Sequence, residues 1–157
     1  MFRAATHSDR NAVRALVDDA TAETGYRDAP LYFFQLAFGD RPSEARVIIA
    51  ERDGAAVGCA LFGEVAGAVG TGRIQFVAVA ASARRCGLGA GLCDAACGDL
   101  AARGARCVVA ELPDDATLTA GRAMLAHCGF VEAARVADYY RDGVDQAILQ
   151  RTVPSPR

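Results

Sequence analysis

The chain has 157 residues, of which 52% are hydrophobic and 23% charged, as is usual for a globular protein with one core. The net charge of −2 argues against a nucleic-acid partner. No run approaches the ~18 consecutive apolar residues of a membrane helix, so no membrane partner is expected. We therefore expect a cytoplasmic protein with a single domain over residues 1–153 and a disordered tail at 154–157.

The basic residues and the cysteines exclude several kinds of chemistry. All 17 basic residues are arginine, which is typical of a GC-rich genome, and we expect a bacterial one. Without lysine the chain has neither a Walker A motif nor a Schiff-base nucleophile. Its six cysteines form no C-x-x-C pair and it has only two histidines, so we expect no metal site.

The first half of the chain predicts two helices inserted between a short strand and a β-hairpin. Ser8 and Asp9 are both suitable N-caps for the first helix. Asp53-Gly54 is a strong signal for a tight hairpin turn. In chain order this half predicts a strand at 2–5, a helix with an apolar stripe at 13–20, a polar break at 24–30, a helix at 31–38, and strands at 46–51 and 56–63.

The second half predicts a parallel crossover followed by a hairpin. Residues 73–80 are nearly all apolar, which predicts a central strand buried on both faces. The predicted elements are a strand at 73–80, a helix from 88 that ends at Gly104, a strand at 106–111, a helix at 117–128, and strands at 130–138 and 144–151. We therefore expect an α/β (α+β) fold, with a mixed twisted sheet of six or seven strands and helices on both faces.

The segment between the strand at 73–80 and the helix at 88 predicts an anion site. Backbone N–H groups converge at a helix N-terminus, where the helix dipole favours negative charge. Gly87 and Gly89 allow the backbone to take unusual φ values and to approach a ligand closely. Arg84 and Arg85 precede these glycines, and a guanidinium binds phosphate through two hydrogen bonds. The segment therefore predicts a ligand that carries phosphate.

The same segment resembles the signature of the GCN5-related N-acetyltransferase (GNAT) family, V-x-V-x-x-x-x-[RQ]-x-x-G-x-[GA]. Val77-Ala78-Val79 supply the strand residues, and Arg84 precedes Gly87-Leu88-Gly89 at the required spacing. The element order resembles that of the family over essentially the whole chain. The resemblance implies a GNAT fold with acetyl-CoA as the co-substrate and no metal. The coenzyme-binding residues that it implies are Val77, Ala78, Val79, Arg84, Arg85, Cys86, Gly87, Leu88, Gly89 and Ala90.

The resemblance further implies an N-acetyltransferase, in which a primary amine of a small molecule or peptide attacks the thioester directly. This reaction needs a base to deprotonate the amine and an acid to protonate the leaving thiolate. Gln75 stands where many relatives carry a glutamate, and Leu125 stands where the family's usual tyrosine would be. Neither residue ionises, so the sequence departs from the family pattern at both catalytic positions.

Other residues are therefore candidates for the two catalytic roles. Glu111, which ends the next strand, is the first candidate for the base, and Asp138 and Glu64 are weaker ones. Tyr140 is the candidate acid, with Tyr139 beside it.

The acceptor is expected between the first two helices and the last hairpin, at residues 21–38 and 137–143. Four acids in these segments would suit a cationic amine: Glu23, Asp28, Asp138 and Asp142. A homodimer is also possible, because dimers are common in the family.

Two alternatives belong to other functional classes. Without the usual catalytic groups at Gln75 and Leu125, the chain would also fit an acyl-CoA-binding sensor module that catalyses no transfer. A Rossmann dinucleotide site is a remoter alternative, because Gly87 to Gly91 imitates its glycine pattern. However, Leu92 occupies the position of the third glycine, and the loop after Val79 is longer than that motif allows.

Overall fold

The computed structural model describes residues 1–154, which contain seven strands and four α-helices in the predicted order. The strands are β1 (Phe2–Ala4), β2 (Ala45–Arg52), β3 (Ala55–Glu64), β4 (Thr71–Val79), β5 (Cys107–Pro113), β6 (Val131–Arg141) and β7 (Val144–Thr152). The helices are α1 (Arg10–Thr24), α2 (Asp28–Phe38), α3 (Leu88–Ala102) and α4 (Thr119–His127).

The seven strands form one mixed sheet in the order β1-β2-β3-β4-β5-β7-β6. Among the paired strands of residues 1–154, only β4 and β5 run parallel, and α3 makes the crossover between them. This arrangement confirms the predicted fold class. It also excludes the doubly wound parallel sheet that a Rossmann site requires.

The helices cover both faces of the sheet, and each face has its own apolar core. On one face α3 and α4 contribute Leu92, Leu100 and Leu125 to the core. On the other face α1 and α2 contribute Val13 and Phe34. Complete burial of one such side chain stabilises the fold by ~1.5–3 kcal/mol, so the two cores hold the central strands in place.

The parallel strands β4 and β5 separate soon after they begin to pair. Their register covers only Thr71–Arg73 against Cys107–Val109. Two residues further along β4, Gln75 forms a bulge, because Leu61 of β3 pairs with Phe76 while the next residue, Phe62, pairs with Ile74. The prediction that the whole strand is buried on both faces is therefore wrong. Residues 75–77 are only half-buried because they border a gap rather than a neighbouring strand.

Smaller differences from the sequence prediction concern element boundaries. Helix α2 begins at Asp28 rather than at residue 31, because Pro30 fits within the first helical turn. Strand β6 continues to Arg141, but residues 137–140 leave the ladder between Val136 and Arg141. Of the predicted tail, residues 155–157 lie outside the described part of the chain. No helix within residues 1–154 is long and apolar enough to cross a membrane.

Candidate active site

Two cavities that share part of their lining lie at the gap between β4 and β5. The narrower one, about 120 Å³, lies between the strands and the start of α4, and Val77 and Leu125 contribute to its wall. The wider one, about 300 Å³, extends beneath the α1–α2 connection, and Tyr26 and Tyr140 contribute to its wall. The residues that line both cavities are Gln75, Phe76, Glu111, Leu112 and Leu118.

The loop that precedes α3 presents free backbone N–H groups. Gly87 is the N-cap of α3 with φ +75°, a value that favours glycine, and no side chain caps this end of the helix. The first N–H groups of a helix have no partner inside it, so those of Leu88, Gly89 and Ala90 are available to an anion. A Cβ atom at Gly89 would lie 2.9 Å from Met124 Sδ, so this glycine also allows α4 to pack closely.

The two arginines of the loop have different surroundings. Arg84 donates through both terminal nitrogens to the Glu23 carboxylate, at 3.0 and 2.8 Å, and through Nε to the Val79 carbonyl at 3.0 Å. These bonds connect the loop to the end of α1. Arg85 has φ +66°, and its exposed guanidinium has no ion pair among residues 1–154. A phosphate would therefore meet Arg85 without displacing a carboxylate.

Glu111 lies at the point where β4 and β5 separate, in a small polar cluster. Arg73 donates to its Oε1 at 3.0 Å and the amide of Gln146 donates to its Oε2 at 3.3 Å. Arg73 is the last residue of β4 that pairs with β5, so the ion pair closes the apex of the gap. An ionised carboxylate accepts several hydrogen bonds, so both Glu111 oxygens retain capacity for a ligand.

Tyr140 also lines the wider cavity, at the point where residues 137–140 leave the β6–β7 ladder. Burial raises the pKa of its hydroxyl above the ordinary value, and the negative charge of Glu111 raises it further. Tyr140 therefore keeps its proton at neutral pH. Its ring packs edge-on against Tyr26 and Tyr139, with centroid separations of 5.5 and 5.0 Å. Tyr139 is 57% exposed and lines neither cavity.

A bridge of three side chains, which the sequence analysis missed, connects three segments around the wider cavity. Tyr26 donates to Asp115 at 2.8 Å, and Arg141 donates to the Tyr26 oxygen at 2.8 Å and to Asp115 at 3.0 Å. Burial and the bond to Asp115 raise the pKa of Tyr26. Because the Tyr26 proton is already donated to Asp115, Tyr26 is a poor candidate for an acid. Local sequence patterns do not indicate these contacts, because the partners are 89 and 115 residues apart along the chain.

Several other candidate residues lie away from the cavities. Glu64 lies next to the β3–β4 loop, where the neighbouring Glu44 raises its pKa. Asp138 accepts from the Gly143 N–H at 2.7 Å and lines neither cavity. Of the four acids expected near the acceptor, only Asp28 lines the wider cavity. Within residues 1–154 no group of three or more His, Cys, Asp or Glu residues is arranged to hold a metal ion.

Leu125 occupies the position expected from the sequence. It is 7% exposed and lines the narrower cavity with Gln75 and Glu111. An apolar side chain therefore faces the gap where a tyrosine would be expected.

Several solved structures with the same architecture carry the name of acetyltransferases. An acetyltransferase of the GNAT family from Desulfovibrio desulfuricans superposes with a TM-score of 0.86 at 24% identity, over 98% of this chain and 99% of that one. The ribosomal-protein-alanine N-acetyltransferase of Brucella melitensis superposes with a TM-score of 0.79 at 22% identity, over 98% of this chain and 99% of that one. A structure from Salmonella typhimurium that is named as an acetyltransferase and was solved with acetyl-CoA superposes with a TM-score of 0.74 at 18% identity, over 100% of this chain and 95% of that one.

These identities are low enough that the superpositions establish the fold alone. No curated protein matches the chain at a significant level. The sequence model of the acetyltransferase (GNAT) family matches residues 11–130, well over half of the chain. That match confirms the resemblance predicted from the sequence, and the chain belongs to the GNAT acetyltransferase family.

Proposed function

We propose that the protein is an acetyl-CoA-dependent N-acetyltransferase that acts on a primary amine. The observation that carries the proposal is the separation of β4 from β5 directly beside the free N–H groups of residues 88–90. A strand edge and a helix N-terminus together fit a ligand with an amide-containing arm and a pyrophosphate. Two solved structures with this fold are named N-acetyltransferases, of a ribosomal-protein alanine and of an aminoglycoside.

The residues that the sequence analysis expects to bind the coenzyme keep that role, with the exception of Arg84. The backbone of Val77, Ala78 and Val79 would bind the pantetheine arm, because this end of β4 has no partner in β5. Residues 86–90 would bind the pyrophosphate, with Arg85 as the guanidinium that is free to meet it. Arg84 would act mainly by holding the loop, because Glu23 and the Val79 carbonyl already occupy its donors. Acetyl-CoA, when bound, supplies the thioester that the amine attacks.

Glu111 is proposed as the base that accepts a proton from the amine. It is the carboxylate that both cavities share, so it lies where an acceptor amine meets the coenzyme gap. Arg73 and Gln146 fix its orientation through one bond to each oxygen. A base held in this way needs little reorganisation when the amine arrives.

Tyr140 is proposed as the acid that protonates the leaving thiolate. Its raised pKa keeps the hydroxyl protonated, as an acid must be. Leu125, the family position for this role, has no proton to donate. Tyr140 approaches from the hairpin side of the wider cavity instead of from α4.

A binding module without transfer activity is the second candidate function. The observation in its favour is Leu125, whose apolar side chain lines the coenzyme gap. A sensor would keep the coenzyme-binding loop but would not require Glu111 or Tyr140.

Thiol release from acetyl-CoA, measured with a panel of amines and followed by mass spectrometry of the products, tests the proposal. The proposal predicts amine-dependent thiol release and an acetylated amine. Tight acetyl-CoA binding by calorimetry with no acetylated product would favour the module. If acetyl-CoA does not bind, both candidate functions are wrong.

A further inference from the structure

The wider cavity has mostly apolar walls. Its volume of about 300 Å³ is at the lower end of the range for small-molecule sites. The apolar side chains that form its walls are Pro30, Phe76, Leu112, Pro113, Leu118 and Tyr140. Burial of apolar ligand surface against such walls contributes ~25 cal/mol per Å². The cavity therefore favours a ligand with an apolar body.

The charged groups around the cavity are largely neutralised by one another. Arg73 pairs with Glu111, and Arg27 pairs with Asp18 at 2.9 Å. Asp28, which is exposed at the rim, is the remaining carboxylate of the lining. A ligand with several ammonium groups needs several carboxylates, because each buried charge needs a partner. The described cavity has one carboxylate at its inner end and one at its rim.

The bridge of Tyr26, Asp115 and Arg141 borders the same cavity through Tyr26, which contributes to its wall. It connects the α1–α2 loop, the segment before α4 and the β6–β7 hairpin. The side chain of Asp115 is only 11% exposed, and Thr117 also donates to it through its backbone N–H and its hydroxyl. A peptide chain would have to part these segments in order to pass between them, whereas a compact ligand would not.

We infer that the acceptor is a compact primary monoamine with an apolar body, such as an arylalkyl or branched alkyl amine. The ammonium end meets Glu111, and the apolar body packs against Leu112, Pro113 and Tyr140. Polyamines, aminoglycosides and peptide N-termini are disfavoured by the charge balance and by the bridge. This inference rests on the proposed function and specifies its acceptor.

Calorimetry in the presence of CoA tests the acceptor class separately from turnover. The probes are 2-phenylethylamine, isopentylamine, spermidine, kanamycin and a short peptide with an N-terminal alanine. We expect both monoamines to bind at least about tenfold more tightly than the other three probes. Tighter binding of spermidine, kanamycin or the peptide would overturn the inference. Absence of acetylation would refute the proposed function, while the order of affinities would still decide the acceptor class.

A substitution on the cavity wall sharpens the test. Ala29 is exposed, lines the cavity and lies in the first turn of α2, where an acidic residue is compatible with the helix dipole. Ala29→Glu should weaken 2-phenylethylamine binding relative to spermidine by at least about tenfold. Gln35→Glu is the matched control, because it adds the same charge to an exposed site on α2 outside the cavity. An unchanged ratio in Ala29→Glu, or an equal change in Gln35→Glu, would contradict the inference.

Discussion

Substitution of Glu111 by glutamine tests whether this carboxylate is the base. The amide has nearly the same shape and keeps an oxygen that accepts from Arg73, but it cannot take a proton from an amine. General-base catalysis contributes ~10²–10⁴-fold, so kcat should fall by that factor. The fold should change little. The side chains of Arg73 and Glu111 are 36% and 33% exposed, and pairs this accessible to solvent contribute at most about 1 kcal/mol.

Steady-state kinetics, thermal unfolding and acetyl-CoA calorimetry together separate catalysis from folding. For a chain of this length, a loss of 1 kcal/mol lowers Tm by only ~2–4 °C. The dissociation constant of acetyl-CoA should stay unchanged, because the substitution leaves the proposed coenzyme loop at residues 84–90 intact. Glu132→Gln is the matched control, since Glu132 pairs with Arg135 on β6 and lines neither cavity. A fall in kcat of less than about tenfold for Glu111→Gln would refute the assignment of the base.

Three further predictions concern the coenzyme loop, the acid and the bridge. Gly87→Ala should weaken acetyl-CoA binding, measured by calorimetry, by about tenfold, because a φ of +75° costs an alanine ~1–2 kcal/mol. The control Gly98→Ala, within α3, should leave acetyl-CoA binding unchanged. Tyr140→Phe should lower kcat and remove the fall in rate above pH 10, because the raised pKa keeps this phenol protonated below that pH; an unchanged pH–rate profile would contradict this role. The N–H and hydroxyl of Thr117 and the hydroxyl of Tyr26 lower the pKa of Asp115, so its contribution to stability is present above pH ~4 and is lost on acidification. Denaturant unfolding of Asp115→Asn should therefore depend less on pH in the acid range than that of the parent, and an equal dependence would contradict the bridge.

The order of the elements could be predicted from the sequence because local patterns encode it. Helical stripes, the turn at Asp53-Gly54 and the glycine at position 87 act within a few residues, and the structure places each of them in the expected element. The apolar run at 73–80 has two meanings that the sequence does not distinguish. Phe76 and Val77 resemble core residues in the sequence, yet they are half-buried because they line the cavities. An apolar ligand-binding wall and an apolar core have the same sequence pattern.

The contacts that shape the candidate site could not be predicted in this way. Glu23 meets Arg84 across 61 residues, and Tyr26 meets Arg141 across 115 residues. Only the packing of the sheet and helices brings such residues together, and local sequence periodicity does not predict that packing. The acids that the sequence placed near the acceptor illustrate this limit: Glu23 is paired with the loop, and Asp138 caps its own hairpin.

A crystal structure of the protein with acetyl-CoA tests the central claim most directly. The account predicts the pyrophosphate on the N–H groups of Leu88, Gly89 and Ala90, and the pantetheine arm between β4 and β5. The acetyl end should reach the junction of the two cavities beside Glu111. Two results would contradict the account: coenzyme bound elsewhere on the molecule, or a gap between β4 and β5 that remains empty at saturating acetyl-CoA.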